Sequence, residues 1–271
     1  MKPKTPIRYE PPLYLNPIET IKQKLHLLQQ GRLRVIEPLG NSNSFLLKNP
    51  AADYDPTVWI VSPGASGSSL LYRNLSKKVC PYPVLKSHSY PAIWKGKDCI
   101  KAAVEGGFMW EIEKNDKVVY LYSHPLNILA SYCTKLSDKP EDWRRGNQQY
   151  GQFLECDLSK DFFEVYLDED ILRLEKHLDE WWKKKNFDLL CIKYENLYEC
   201  QQIIREFIEG PTYLVKGGNR EIPLVLPPKR DRKHDWRKQP NKIKLMQTYA
   251  SVIEKFEQKP AFELFLKESK K

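Results

Sequence analysis

At 271 residues the chain is long enough to bury a sizeable core and sits near the upper edge of one domain. Hydrophobic residues make up 41% and charged residues 29%, an ordinary globular balance, and seven tryptophans and fifteen tyrosines argue against intrinsic disorder. The net charge of +9 suits an anionic ligand, a nucleic acid or an acidic membrane surface alike, and no apolar run approaches the roughly 18 residues of a membrane span.

Residues 1–18 carry five prolines and read as an irregular arm. Met1 to Arg8 is basic with no apolar stretch, which argues against a signal peptide and predicts a cytoplasmic protein. Ile18 to Gln30 is a short helix candidate with Ile21, Leu25, Leu27 and Leu28 as its apolar positions, and Asn49 to Pro56 is a turn-rich connector. Thr57 to Val61 is a short β-branched apolar run and predicts a buried strand. A small-residue loop, Ser62 to Ser69, follows, and Leu70, Leu71 and Leu75 then fall at helical spacing. Val118 to Tyr122 predicts a second strand, with a helix over Leu126 to Leu136 after Ser123-His124-Pro125. Asp170 to Lys185 predicts a charged, Trp-bearing helix, and Leu189 to Tyr194 a third strand. From Pro223 the chain turns polar and basic, and Ile243 to Phe256 predicts one closing helix.

Strands that alternate with helices, each nearly continuously apolar, predict an α/β protein with a mainly parallel central sheet flanked by helices. Neither repeat nor linker interrupts it, so 1–271 reads as one domain, with 1–50 as an N-terminal arm and 223–240 as a basic loop. The six cysteines, Cys80, Cys99, Cys133, Cys156, Cys191 and Cys200, show no CxxC spacing and no histidines beside them. They read as reduced thiols, and no metal site is expected.

The loop after the first strand has the form of an anion cradle. Gly64 and Gly67 permit backbone turns that aim N–H groups inward, while Ser66, Ser68 and Ser69 add hydroxyl donors. A tight Gly/Ser turn with no ligand has the same composition. It is not a nucleoside-triphosphate P-loop, because Ser68 and not lysine follows Gly67. Lys86 and His88 stand two apart, so in an extended segment both face one side. Arg73 lies one turn into the helix after the loop, within reach of it or exposed.

Several segments in order carry a resemblance. Ser66-Gly67-Ser68-Ser69 matches Ser-Gly-Thr-Thr, and Leu85-Lys86-Ser87-His88 matches Lys-Thr-His. Val119 to Pro125 with Ser131-Tyr132 matches Tyr-x-x-Arg-Asn-Pro followed by Ser-Tyr. His177-Leu178-Asp179-Glu180-Trp181-Trp182 matches His-x-x-x-Trp-Trp, and Asp188 to Glu195 matches a strand ending in Tyr-Glu. Lys229 to Arg237 matches a degraded Arg-Lys-Gly-x-x-Gly-Asp-Trp-Lys. Across residues 57 to 240 this set resembles the cytosolic sulfotransferases.

The resemblance implies a P-loop-like fold and transfer of a sulfuryl group from 3′-phosphoadenosine 5′-phosphosulfate (PAPS) to a hydroxyl or amine of a small molecule. It implies His88 as catalytic base and Lys86 as the cation on the bridging oxygen. Ala65, Ser66, Gly67, Ser68 and Ser69 would hold the 5′-phosphosulfate, and Ser123 and Ser131 the 3′-phosphate. Tyr194 would line the nucleotide pocket, and Lys229 and Arg230 would close over it. His177, Trp181 and Trp182 read as scaffold. No metal, nucleic-acid or membrane partner is implied, and a homodimer is one option. The chain departs from the pattern where Ala65 replaces a lysine, Ser123 an arginine, His124 an asparagine and Leu70 a tryptophan. The departures motivate a second expectation, a weakened relative that binds a nucleotide or partner without efficient transfer. A nucleic-acid module using the basic stretch is a third, but the sequence shows no aromatic-interleaved or helix-turn-helix pattern to support it.

Overall fold

The structure is a computed structural model that describes residues 34–38, 45–48, 56–75, 84–88, 92–93, 100–104, 108–138, 162–209, 226–227 and 235–267. The strands are β1 (Arg34–Pro38), β2 (Phe45–Lys48), β3 (Val58–Val61), β4 (Val84–Ser87), β5 (Ala92–Ile93), β6 (Ile100–Val104), β7 (Phe108–Ile112), β8 (Lys117–Tyr122), β9 (Asp188–Lys193) and β10 (Phe262–Phe265). The helices are α1 (Ser68–Asn74), α2 (Pro125–Asp138), α3 (Phe162–Val165), α4 (Leu174–Trp181), α5 (Gln201–Glu209), α6 (Lys242–Thr248) and α7 (Ala250–Gln258). Short 3-10 turns occupy Tyr194–Asn196 and Trp236–Lys238.

The strands form one sheet in the order β1-β2-β7-β6-β4-β3-β8-β9-β10, with β5 paired to β6. Its centre is parallel: β3 runs with β4 and β8, and β8 runs with β9. The flanks are mixed, because β6 runs against β4 and β7, while β10 runs against β9. The sequence reading predicted a mainly parallel sheet from the runs that form β3, β8 and β9, and gave no strand to β4 or to these flanks.

Strand alternation sorts the core onto two faces. Trp59, Val61, Val118, Tyr120, Tyr122, Leu189 and Cys191 pack with Leu126 and Leu129 of α2, Leu174 and Trp181 of α4, and Val252 and Phe256 of α7. Val58, Ile60, Val119, Leu121, Leu190 and Ile192 meet Leu71 of α1 and Ile204 and Ile208 of α5 on the other face. Helices therefore cover both faces of the parallel centre, which is why β3, β8 and β9 read as continuous apolar runs. Among the described residues no helix is long and apolar enough to cross a membrane. Cys133, Cys191 and Cys200 are free thiols. Cys80, Cys99, Cys156 and the 18–30 helix candidate lie outside the described residues.

Two polar anchors fix the centre. The buried Asp116 carboxylate accepts from Thr57 N (3.0 Å), Trp59 Nε1 (3.0 Å) and Glu113 N (2.9 Å), tying the start of β3 to the turn before β8. Lys117 Nζ donates to the carbonyls of Phe207 and Ile208, at the carboxyl-terminal end of α5 where a cation is favoured.

Two helix expectations need correction. The stretch 170–185 is helical only over Leu174–Trp181, because Arg173 takes a left-handed φ of 52° and Asp170 Oδ2 accepts the Glu175 N–H, closing a turn instead of a helix. The closing helix is two helices. Tyr249, at φ −102°, separates them while its hydroxyl donates to the carbonyls of Tyr166 and Glu169. At the far edge, β10 leaves Phe262 and Leu264 exposed on one side and half-buries Glu263 and Phe265 on the other.

Candidate functional site

The chain leaves β3 through α1 to β4 on one side, while β8 lies against the other side of β3. At such a switch of direction a crevice opens outside the carboxyl ends of parallel strands, the usual ligand position in open α/β sheets. The ends of β3, β4, β8 and β9 deliver Ser62 to Gly67, His88, Ser123 and Tyr194-Glu195 to that edge.

The loop is wound by three left-handed residues, Gly64 (φ 84°), Ala65 (φ 51°) and Gly67 (φ 76°). A Cβ on Gly67 would stand 2.0 Å from Cε2 of Tyr194, so a side chain there would force the ring or the loop to shift. Internal bonds hold the shape. Gly64 N donates to Ser62 Oγ (3.2 Å), Ser66 Oγ donates to the Gly64 carbonyl (2.9 Å), and Tyr132 OH on α2 donates to the Pro63 carbonyl (3.1 Å). Among the described residues, none of the backbone N–H groups from Ala65 to Ser69 has a hydrogen-bond acceptor. Unpaired donors gathered on one turn are the requirement for holding an anion.

Two side chains from β4 and its end reach the same loop. Lys86 is 7% exposed, and its Nζ donates to Ser69 Oγ at 3.3 Å. His88 Nδ1 stands 2.8 Å from the Ser62 carbonyl and 3.2 Å from Ser62 Oγ. Behind His88 lies His177 of α4, fully buried, with Nδ1 3.0 Å from Tyr120 OH and its ring stacked on the Tyr120 ring. Burial, together with the nearby His88, pushes the His177 imidazole down to about 3, so this ring is neutral.

The β8–α2 corner is organised around a carboxylate. Glu195 Oε1 accepts from Ser123 Oγ (2.8 Å), His124 N (3.1 Å) and Asn127 Nδ2 (3.5 Å). Ser123 N also donates to Ser66 Oγ at 3.3 Å, joining this corner to the loop. The His124 ring stacks on Trp236 with a 3° interplanar angle at 5.6 Å.

No family model, curated protein or solved structure matches the chain.

The structure thus brings Ser66, Gly67, Ser68, Ser69, Lys86 and His88 together. Ala65 is in the loop, but its methyl group packs against the aromatic core cluster. Tyr194 sits behind Gly67 and packs with the opposite core cluster, so its ring supports the loop from below. Ser123 is fully buried and bonded to Glu195. Ser131 lies half-buried on α2. Arg73 is exposed. Lys229 and Arg230 lie outside the described residues. Trp181 is core, and Trp182 Nε1 donates to Glu263 Oε2 of β10 at 2.6 Å.

Sequence reasoning passed over Ser62 and gave Glu195 no role. Ser62 is one small residue among many in its loop, and only the neighbouring strand brings His88 against it. The partners of Glu195 are 68 to 72 positions away in sequence, beyond any local pattern. An open cleft lined by Glu169, Asp170, Arg173 and Asp179 lies elsewhere, and none of the candidate residues lines it.

Proposed function

We propose that the chain is a sulfotransferase of P-loop-like architecture that moves a sulfuryl group from PAPS to a hydroxyl or amine of a small acceptor. One observation supports the reading above the others. A buried lysine and a histidine from one strand end meet the loop of unpaired N–H groups at the end of the next strand.

In the proposed reaction the loop N–H groups and the Ser68 and Ser69 hydroxyls hold the phosphosulfate oxygens of the substrate PAPS. His88 takes the acceptor proton as the acceptor oxygen or nitrogen bonds to sulfur. The bond from sulfur to the bridging oxygen breaks, and Lys86 neutralises the charge that collects on the leaving phosphate. The products are the sulfated acceptor and adenosine 3′,5′-bisphosphate (PAP). The protein would act in the cytoplasm without a metal, nucleic-acid or membrane partner.

The second reading, a relative that binds without efficient transfer, is favoured by the β8–α2 corner. Ser123 Oγ is already engaged by Glu195, and the Ala65 methyl packs into the core, so neither of these two positions supplies a cation.

A thermal-shift comparison tests the donor assignment. PAP should raise the melting temperature, by the equivalent of about 2.7 kcal/mol at 100 times its dissociation constant, and ATP should do so much less. Equal shifts from both nucleotides would sink the assignment.

A further inference from the structure

A carbonyl oxygen has no proton to give. At 2.8 Å from the Ser62 carbonyl, His88 Nδ1 is therefore the donor, and the lone pair of the neutral ring sits on Nε2. The same Nδ1 is 3.2 Å from Ser62 Oγ. That oxygen also receives the Gly64 N–H at 3.2 Å and donates its own proton to Ser68 Oγ at 2.9 Å. One proton arrangement satisfies all four contacts. Nδ1–H is shared between the carbonyl and hydroxyl oxygens of Ser62, Gly64 N–H points at Oγ, and the Ser62 proton points at Ser68. Ser62 is fully buried, so water does not compete for these bonds. An unconstrained histidine in water favours the opposite tautomer, with its proton on Nε2, so this site works against the ring's own bias.

We propose that Ser62 is the positioning residue of the catalytic base. Its carbonyl and hydroxyl hold His88 as the Nδ1–H tautomer and leave Nε2 to accept the proton. Through Gly64 and Ser68, the hydroxyl anchors that setting to the loop. The functional meaning rests on the sulfuryl-transfer reading, but the tautomer is a property of the protein without any substrate. Ser62 acts on the base through His88 and on the loop through Gly64 and Ser68.

Nitrogen-15 NMR of the histidine-labelled full chain reads the tautomer directly, with the His88 signals assigned by their loss in His88→Gln. In the wild type, neutral His88 should be protonated at Nδ1 and unprotonated at Nε2. Ser62→Ala should move population toward the Nε2–H form, and Ser62→Thr, which keeps a hydroxyl, should restore it. In turnover, Ser62→Ala should lower kcat roughly 10-fold with the acceptor KM unchanged. That is less than the order of 10⁴ seen when a triad histidine is held in the wrong tautomer, because the main-chain carbonyl stays in place. A wild-type His88 protonated on Nε2 overturns the proposal, and so does a Ser62→Ala spectrum identical to wild type. If Ser62→Ala does not fold, the wild-type and Ser62→Thr spectra still decide. The donor assignment fails separately, on the PAP thermal shift, so the two failures are distinguishable.

Discussion

Gly67 is held by two constraints at once, a left-handed φ of 76° and the Tyr194 ring where a Cβ would go. Gly67→Ala should therefore cost about 2–5 kcal/mol, the sum of a left-handed penalty and an overpacking term. Adding Tyr194→Ala should return the overpacking part and leave the backbone part, so urea midpoints of the four proteins should be non-additive. Additive costs would mean that the ring does not set the constraint. Lys86 and His88 separate by a different measurement. On the proposed sulfuryl transfer, His88→Ala should cut the rate by on the order of 10²-fold or more and leave PAP affinity nearly unchanged, since the proposed base meets the acceptor. Lys86→Ala should be at least as damaging and should also weaken PAP, because its ammonium lies on the loop at Ser69. Wild-type PAP affinity in Lys86→Ala would refute that placement.

Among the elements, β3 and its connection to β8 depend on Asp116. Three donors converge on its buried carboxylate, and removing it strands the Trp59 indole N–H and two backbone N–H groups. Asp116→Ala should cost about 3 kcal/mol by chemical denaturation, with the Trp59 environment altered in near-ultraviolet circular dichroism. A loss within about 0.5 kcal/mol, the range of ordinary surface changes, would remove Asp116 from this role. The same element shows what the sequence could reveal. The apolar runs that became β3, β8 and β9 were legible because burial on both faces leaves no polar alternation to confuse with a turn. The loop of 62–69 was legible by its glycines and serines, and Lys86 and His88 through the resemblance of their segment to Lys-Thr-His, their spacing of two adding only that both face one side. The flanking strands β6, β7 and β10 were not, since antiparallel pairing is decided by distant partners such as Ile192 for Phe262. The helix over 170–185 was overextended because its spacing says nothing of the left-handed turn at Arg173. Glu195 was invisible as a hub for the same reason as β10: its partners come from elsewhere in the chain.

On the scale of the whole molecule, His177 links the core to proton concentration. A free imidazole titrates near 6.5, and this one is pushed down to about 3. Between those values the unfolded chain holds a proton that the fold excludes, so stability rises with pH through this window and is lost as pH falls below about 6.5. The slope from this one group is at most about 1.4 kcal/mol per pH unit. In His177→Gln, which keeps a polar partner for Tyr120 OH, the change in urea stability between pH 7 and pH 5 should be shallower than in wild type. Parallel stability profiles would show that His177 does not carry the effect. The sheet order has its own consequence for synthesis. β9 carries the Tyr194-Glu195 end of the site, and its outer neighbour β10 is made after every other strand of the sheet. While the chain is still emerging from the ribosome, β9 therefore presents a bare apolar edge, Leu189 to Ile192, that another nascent chain could pair with. A chain stopped before Phe262 should consequently be recovered in inclusion bodies, even though every residue of the candidate site has already been made.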